Sequence, residues 1–95
     1  MNRLPVETGS VVRSKAGRDQ GRLFLVVGEV DADFVMIANG DLRKLDRLKK
    51  KRRKHLKPTG RVVAELRDRL SRGEKVEDHE LRTWLSEEEK ELVQV

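Results

Sequence analysis

Val11-Val12-Arg13-Ser14-Lys15-Ala16-Gly17-Arg18-Asp19-Gln20-Gly21-Arg22, running straight into Leu23-Phe24-Leu25-Val26-Val27, decides how this chain folds. Residues 10–14 are short and β-branched, and residues 15–21 are rich in turn formers. Residues 22–30 are dominated by Leu, Phe and Val, too apolar for a half-exposed strand. They read either as a strand buried on both faces or as one that is strongly bent, and Gly28 within them marks a bulge or a barrel corner. Asp31-Ala32-Asp33 reads as a tight turn and residues 34–38 as a second buried strand. Asn39-Gly40 is a hairpin signal, because both central residues of that turn need positive φ, and residues 41–44 would run back as the next strand. Strands joined by short turns, with no helical period between them, predict a small antiparallel barrel or sandwich. About 45 residues are few for an open sheet, and closing it hides edges and apolar faces together.

Beyond this the period changes. Pro58-Thr59-Gly60 breaks the preceding run, and Thr59 is placed to cap a helix starting near Gly60 or Arg61. Val62, Val63, Leu66 and Leu70 would share one helical face, and Gly73 would end that helix. Glu77 and Asp78 put negative charge at the start of a second helix, whose apolar face is Leu81, Trp84 and Leu85. Ser86-Glu87-Glu88-Glu89 has capping-box spacing, so residues 86–92 form either a separate short helix or a continuation. The expectation is about five strands over residues 8–57 and two or three short helices after Pro58. The chain thus divides into a mainly β barrel, residues 1–57, and a short α-helical C-terminal appendage, residues 58–95, packed on it through Val62, Leu66, Leu70, Leu81 and Trp84.

Composition narrows the function. The 95 residues are 36% hydrophobic, 3% aromatic and 41% charged, with a mean hydropathy of −0.72. A chain this size can bury one core, but not a deep catalytic cavity as well. No apolar run approaches the ~20 residues of a membrane helix. The N-terminal residues lack the apolar stretch of a secretory signal, so a cytoplasmic location is expected. With no cysteine, disulfides, zinc ribbons and thiolate nucleophiles are excluded. His55 and His79 are the only histidines and there is no tyrosine, so few groups remain for acid–base chemistry near neutral pH. His79 lies beside Asp78 and Glu80, but adjacent residues on a helix point in different directions. We therefore expect neither an enzyme nor a cofactor, a metal or a small-molecule substrate.

The net charge of +5 is unevenly placed. Residues 1–42 carry a net −1 and residues 62–95 a net −4, whereas residues 43–61 hold eleven Lys/Arg against one acid, Asp46. Such asymmetry is the footprint of a nucleic-acid partner; the alternatives are a solvated charge run or a nuclear-import signal.

The Val11–Arg22 stretch resembles the KOW motif, a strand–loop–strand unit of small SH3-like barrels in ribosomal proteins and transcription factors. The resemblance lies in the alternating valines, the loop Gly17-Arg18-Asp19-Gln20-Gly21 and the apolar strand after the second glycine. More closely, the chain is similar to short bacterial KOW-domain RNA-binding proteins related to large-subunit ribosomal proteins of archaea and eukaryotes. The loop at residues 14–21, the Asn39-Gly40 turn and the lysine-rich residues 49–56 ending in His55-Leu56 occur in the order of that group. The likeness covers residues 8–57; a departure is Leu48-Lys49, where the pattern has a proline. It implies an SH3-like antiparallel barrel and an accessory protein of ribosomal RNA or the ribosome, acting in translation.

Candidate contacts follow from residue type. In the loop, Gly17 and Gly21 permit φ values closed to other residues and would expose backbone N–H groups beside Lys15, Arg18 and Arg22, an arrangement suited to phosphate. The alternative is a plain hairpin connection. Asp19 is an acid where a phosphate should sit, and is expected to bond loop amides instead. In residues 43–57, Arg43, Lys44, Arg47, Lys49, Lys50, Lys51, Lys54 and Lys57 offer charge to phosphate. Arg52 and Arg53 add bidentate contacts or stacking. His55 either stacks on a base or donates to phosphate, or simply ends a strand. Phe24 and Phe34 are assigned to the core, and Trp84 either pins the appendage or anchors a partner. Without surface aromatics to stack single-stranded bases, structured RNA read by shape and phosphate is the better fit. The competing reading is a protein-interaction module of the translation or transcription machinery. A monomer is the expected state.

Overall fold

The computed structural model describes residues 6–93. Five strands, β1 (Ser10–Ser14), β2 (Leu23–Glu29), β3 (Phe34–Ala38), β4 (Lys49–Arg52) and β5 (Leu56–Val62), are followed by helices α1 (Ala64–Ser71) and α2 (Asp78–Val93). The chain is mainly β, and the strands form one antiparallel sheet in the order β4-β3-β2-β1-β5. None of the helices among the described residues is long and apolar enough to cross a membrane.

The outer strands β4 and β5 are consecutive in sequence, separated only by a 3-10 turn, Arg53–His55. In a flat sheet those edges would lie roughly 19 Å apart, four strand spacings. A three-residue 3-10 turn advances only about 6 Å. The sheet therefore curls until its edges approach each other at this corner.

Curling gives the sheet two buried faces, and the period of two in β1, β2 and β3 serves both. Val12, Phe24, Val26, Val35, Ile37 and Leu56 form one cluster. Val11, Leu23, Leu25 and Ala38 face the other way and join Val63, Leu66, Leu81 and Leu85 from the helical part. β2 is thus both doubly buried and bent, as its composition implied. The bend lies at Gly28, where the β2–β3 register shifts between Val26 and Gly28.

Three expectations are corrected and one open alternative is decided. Residues 41–44 are not a strand. Asn39 does not take the positive φ that a two-residue hairpin needs; only Gly40 does, at 77°. The Asn39 carboxamide oxygen instead accepts from the amides of Asp41 (3.0 Å) and Arg43 (2.9 Å), and the next strand waits until Lys49.

Pro58-Thr59-Gly60 does not start a helix but lies within β5. An edge strand tolerates proline, whose missing N–H costs no ladder bond on the open side. Ser10 pairs with Val62 and Val12 with Pro58, so β5 bulges here, and Gly60 takes the bulge conformation with φ +97°. Thr59 donates to the Val11 carbonyl (3.1 Å) and accepts from the Arg61 amide (3.3 Å); α1 begins at Ala64 with no side-chain cap.

Val62 belongs to β5, so the helical contact falls to Val63 and Leu85 in its place, beside Leu66 and Leu81. Leu70 and Trp84 are half-buried against the same cluster. Of the two alternatives for residues 86–92, a separate short helix or a continuation, the continuation holds. These residues lie inside α2, because Leu81, Leu85 and Glu88 continue one buried stripe. Gly73 does end α1: its amide bonds the Leu70 carbonyl and the Glu74 amide the Arg69 carbonyl, a Schellman arrangement.

Candidate nucleic-acid interface

Pairing of β4 with β3 sets Phe34 opposite Arg52, Val35 opposite Lys51, Met36 opposite Lys50 and Ile37 opposite Lys49. Side chains alternate along a strand, so the lysine run is divided between the two faces. Lys49 and Lys51 share the side of the buried Val35 and Ile37, whereas Lys50 and Arg52 are exposed on the side of Phe34 and Met36. Phe34 is accordingly half-buried, not core. Lys50 Nζ lies 4.5 Å and the Arg52 guanidinium 4.8 Å from its ring centre, within cation–π range. Phe24 is fully buried, as expected.

The inward lysines meet the glycine loop. Lys49 Nζ donates to the Asp19 carboxylate at 2.9 Å, Arg43 lies 3.6 Å from the same oxygen, and Lys51 Nζ donates to the Ala16 carbonyl at 3.2 Å. The Asp19 carboxylate pairs with Lys49 and Arg43 and not with the loop amides assigned to it above. Burial pushes the Asp19 carboxyl up, but the Lys49 hydrogen bond and the charges of Lys49, Arg43 and Lys51 outweigh this and hold it below the usual value. Lys51 is pushed down, first by burial and then by the neighbouring Lys49 charge, with Asp19 opposing.

The loop has the conformation the two glycines imply, with φ +81° at Gly17 and +87° at Gly21. Its amides are less available than expected. Those of Gln20, Gly21 and Arg22 bond the carbonyls of Gly17, Ser14 and Asp19, and that of Lys15 bonds the His55 carbonyl. Phosphate contact here falls to the exposed side chains of Lys15, Arg18 and Arg22.

Arg53 is spent internally. Its guanidinium bonds the carbonyls of Val6 and Asp31 and the Glu29 carboxylate, tying the N-terminal segment and the β2–β3 turn to the corner. Arg61, at the end of the basic segment, lies 3.6 Å from Glu88, which is 4% exposed although it belongs to a run of three glutamates.

What remains is a set of nine exposed cations, Lys15, Arg18, Arg22, Lys44, Arg47, Lys50, Arg52, Lys54 and Lys57. None of them makes an ion pair among the described residues. Four of the nine, Lys15, Arg52, Lys54 and Lys57, line an open groove of about 950 Å³ at the β4–β5 corner. Arg53 and Asp33 complete its charged lining, over a floor that includes Val6, Ala32, Leu56 and Pro58. His55 is half-buried in the 3-10 turn, where its carbonyl anchors Lys15. The groove-forming residues Val6, Ala32 and Asp33 escaped the sequence reading, because only the curl of the sheet brings the β2–β3 turn to the corner. No protein-family model and no curated protein matches the chain.

Proposed function

We propose that the chain binds structured RNA through its phosphates, with the corner groove as the main contact and the glycine loop beside it. The observation that carries this is the groove's lining: Lys15, Arg52, Arg53, Lys54 and Lys57 against the single acid Asp33. Four of these cations make no ion pair among the described residues, so they meet phosphate without first breaking one. An open, basic, aromatic-poor groove suits a rigid helix backbone better than splayed single-stranded bases.

On this reading the curled sheet is a small SH3-like barrel of the KOW type. Its partner is ribosomal RNA or the ribosome, and its role is that of an accessory protein rather than an enzyme. The exposed cations are spread over several segments, from Lys15 in the glycine loop through Arg47 in the β3–β4 connection to Lys57 in β5, which supports a partner larger than a small molecule.

Titration of a hairpin RNA at several salt concentrations tests the reading. Four groove contacts should give a slope of log affinity against log salt of about −3.6 on duplex RNA if it behaves like duplex DNA. Replacing Lys15, Arg52, Lys54 and Lys57 by Gln should remove most of that slope. If hairpin RNA and deproteinised ribosomal RNA both fail to bind, the RNA reading is lost and the protein-interaction reading replaces it.

A further inference from the structure

We infer that Asp19 is a positioning residue for RNA discrimination: it withdraws Lys49 and Arg43 from the phosphate-facing set and uses them to fix the glycine loop. The inference rests on the RNA reading above and adds a division of labour within the basic segment.

The geometry is that of a latch. The Asp19 side chain is 6% exposed, and its carboxylate binds a cation from the start of β4 and one from the β3–β4 connection. Lys51 ties the other end of the same loop through the Ala16 carbonyl. Two cations thus pair with one carboxylate while a third holds the same loop, and among the described residues no other acid forms an ion pair with Lys49 or Arg43. Without it, Lys49, Arg43 and Lys51 would repel one another with nothing to hold them against the loop. The side chains of Lys49 and Arg43 are 28% and 38% exposed, so both already border solvent and are long enough to turn outward. Releasing them would add phosphate contacts of an adaptable, unselective kind. It would also free the loop that carries Lys15, Arg18 and Arg22 in fixed relation to the groove. An acid that faces the basic segment from the glycine loop therefore lowers gross affinity and sharpens selectivity.

The test uses the full chain with Asp19→Asn, Asp19→Glu and the double variant Arg43→Gln/Lys49→Gln. Each is titrated with a hairpin RNA and with an unstructured RNA of equal length across a salt series. Hydrogen exchange is followed at the Gln20, Gly21 and Arg22 amides. Asp19→Asn should steepen the hairpin slope by up to about 1.8, two freed cations, and reduce the preference for the hairpin. It should also speed exchange at the three loop amides while β2 stays protected. Asp19→Glu should keep the parent's slope and preference. The double variant should speed loop exchange equally but leave the slope at the parent's value, a result that also decides the matter if Asp19→Asn does not fold. If the double variant flattens the slope, Lys49 and Arg43 touch phosphate in the parent and the inference is overturned. Unchanged slope and exchange in Asp19→Asn overturn it as well. If the parent binds neither RNA, it is the RNA reading that fails, and the exchange arm still decides whether Asp19 holds the loop.

Discussion

Gly40 runs so close to the first turn of α2 that a Cβ placed on it would lie 2.3 Å from the Asp78 carbonyl oxygen. Around this contact Arg82 donates to the Gly40 carbonyl, and the Leu45 amide donates to the Asp78 carboxylate at 2.8 Å. Gly40 also has φ +77°. Alanine there meets both a backbone clash and a disfavoured conformation. Gly40→Ala should cost at least about 2–3 kcal/mol. That corresponds to a fall of roughly 10 °C or more in a thermal melt. Gly21→Ala is the control: it shares the positive φ but has no atom within 4 Å of its Cβ position, so its loss should be smaller.

Acid stability should carry the signature of Asp19. Its folded pKa lies below the ordinary value of 3.8, so its ion pairs stabilise the fold fully above that value. The contribution disappears as pH falls below 3.8 and through the folded pKa. Urea melts between pH 6 and pH 2 should show the parent more stable than Asp19→Asn at the upper end, with the gap closing in acid. A gap that stays constant with pH would show that the carboxylate's charge is not what stabilises the loop.

Adjacent residues of the lysine run should behave oppositely. Lys51 is nearly buried, and folding lowers its pKa, so its charge opposes folding at neutral pH. The opposition is complete below the folded pKa and fades as pH rises toward the ordinary 10.5. Lys51→Met should therefore leave stability unchanged or raise it by about 1 kcal/mol at pH 7. It should leave RNA affinity nearly intact. Arg52→Gln should do the reverse, hardly altering the melt and flattening the salt dependence of binding by about one phosphate contact.

Removing residues 64–95 should abolish cooperative folding. Leu66, Leu81 and Leu85 cover Val11, Leu23, Leu25 and Ala38, which would otherwise face water. Burying side chains of this kind contributes about 1.5–3 kcal/mol each. The total is comparable with the whole stability of a small domain, roughly 5–15 kcal/mol. Circular dichroism of the truncated chain should show no sharp transition; a melt like the parent's would make the helices independent of the sheet.

The strands with a hydrophobic period were legible. The bounds of β1 and β3 follow from runs closed by turn residues, and Gly28 announced its bulge. β4 and β5 carry no such signal. A strand written Lys-Lys-Lys-Arg looks like a solvated run, and Pro58-Thr59-Gly60 looks like a breaker unless its place on an edge is known. Asn39-Gly40 misleads for a related reason: its conformation answers to Asp78, thirty-eight residues away. For the site, the basic segment was visible as composition, but its division was not. Once 49–52 is a strand, alternation alone separates Lys49 and Lys51 from Lys50 and Arg52. The roles of Asp19 and Arg53 depend on contacts across 30 and 47 positions, which no local pattern encodes.

The corner at Arg53–His55 also sets the order in which the molecule can be made. β1 has two neighbours, and the second, β5, lies so far along the chain that Ser10 must find Val62. Until then β1 is an exposed edge, and the curl cannot form. Contacts this distant in sequence slow folding, because the loop must close before the pairing stabilises anything. During synthesis the β1–β3 meander can assemble early, but it stays an open template for unwanted strand pairing until β5 arrives. The short link between β4 and β5 limits that interval, since β5 reaches the waiting edge as soon as β4 has docked.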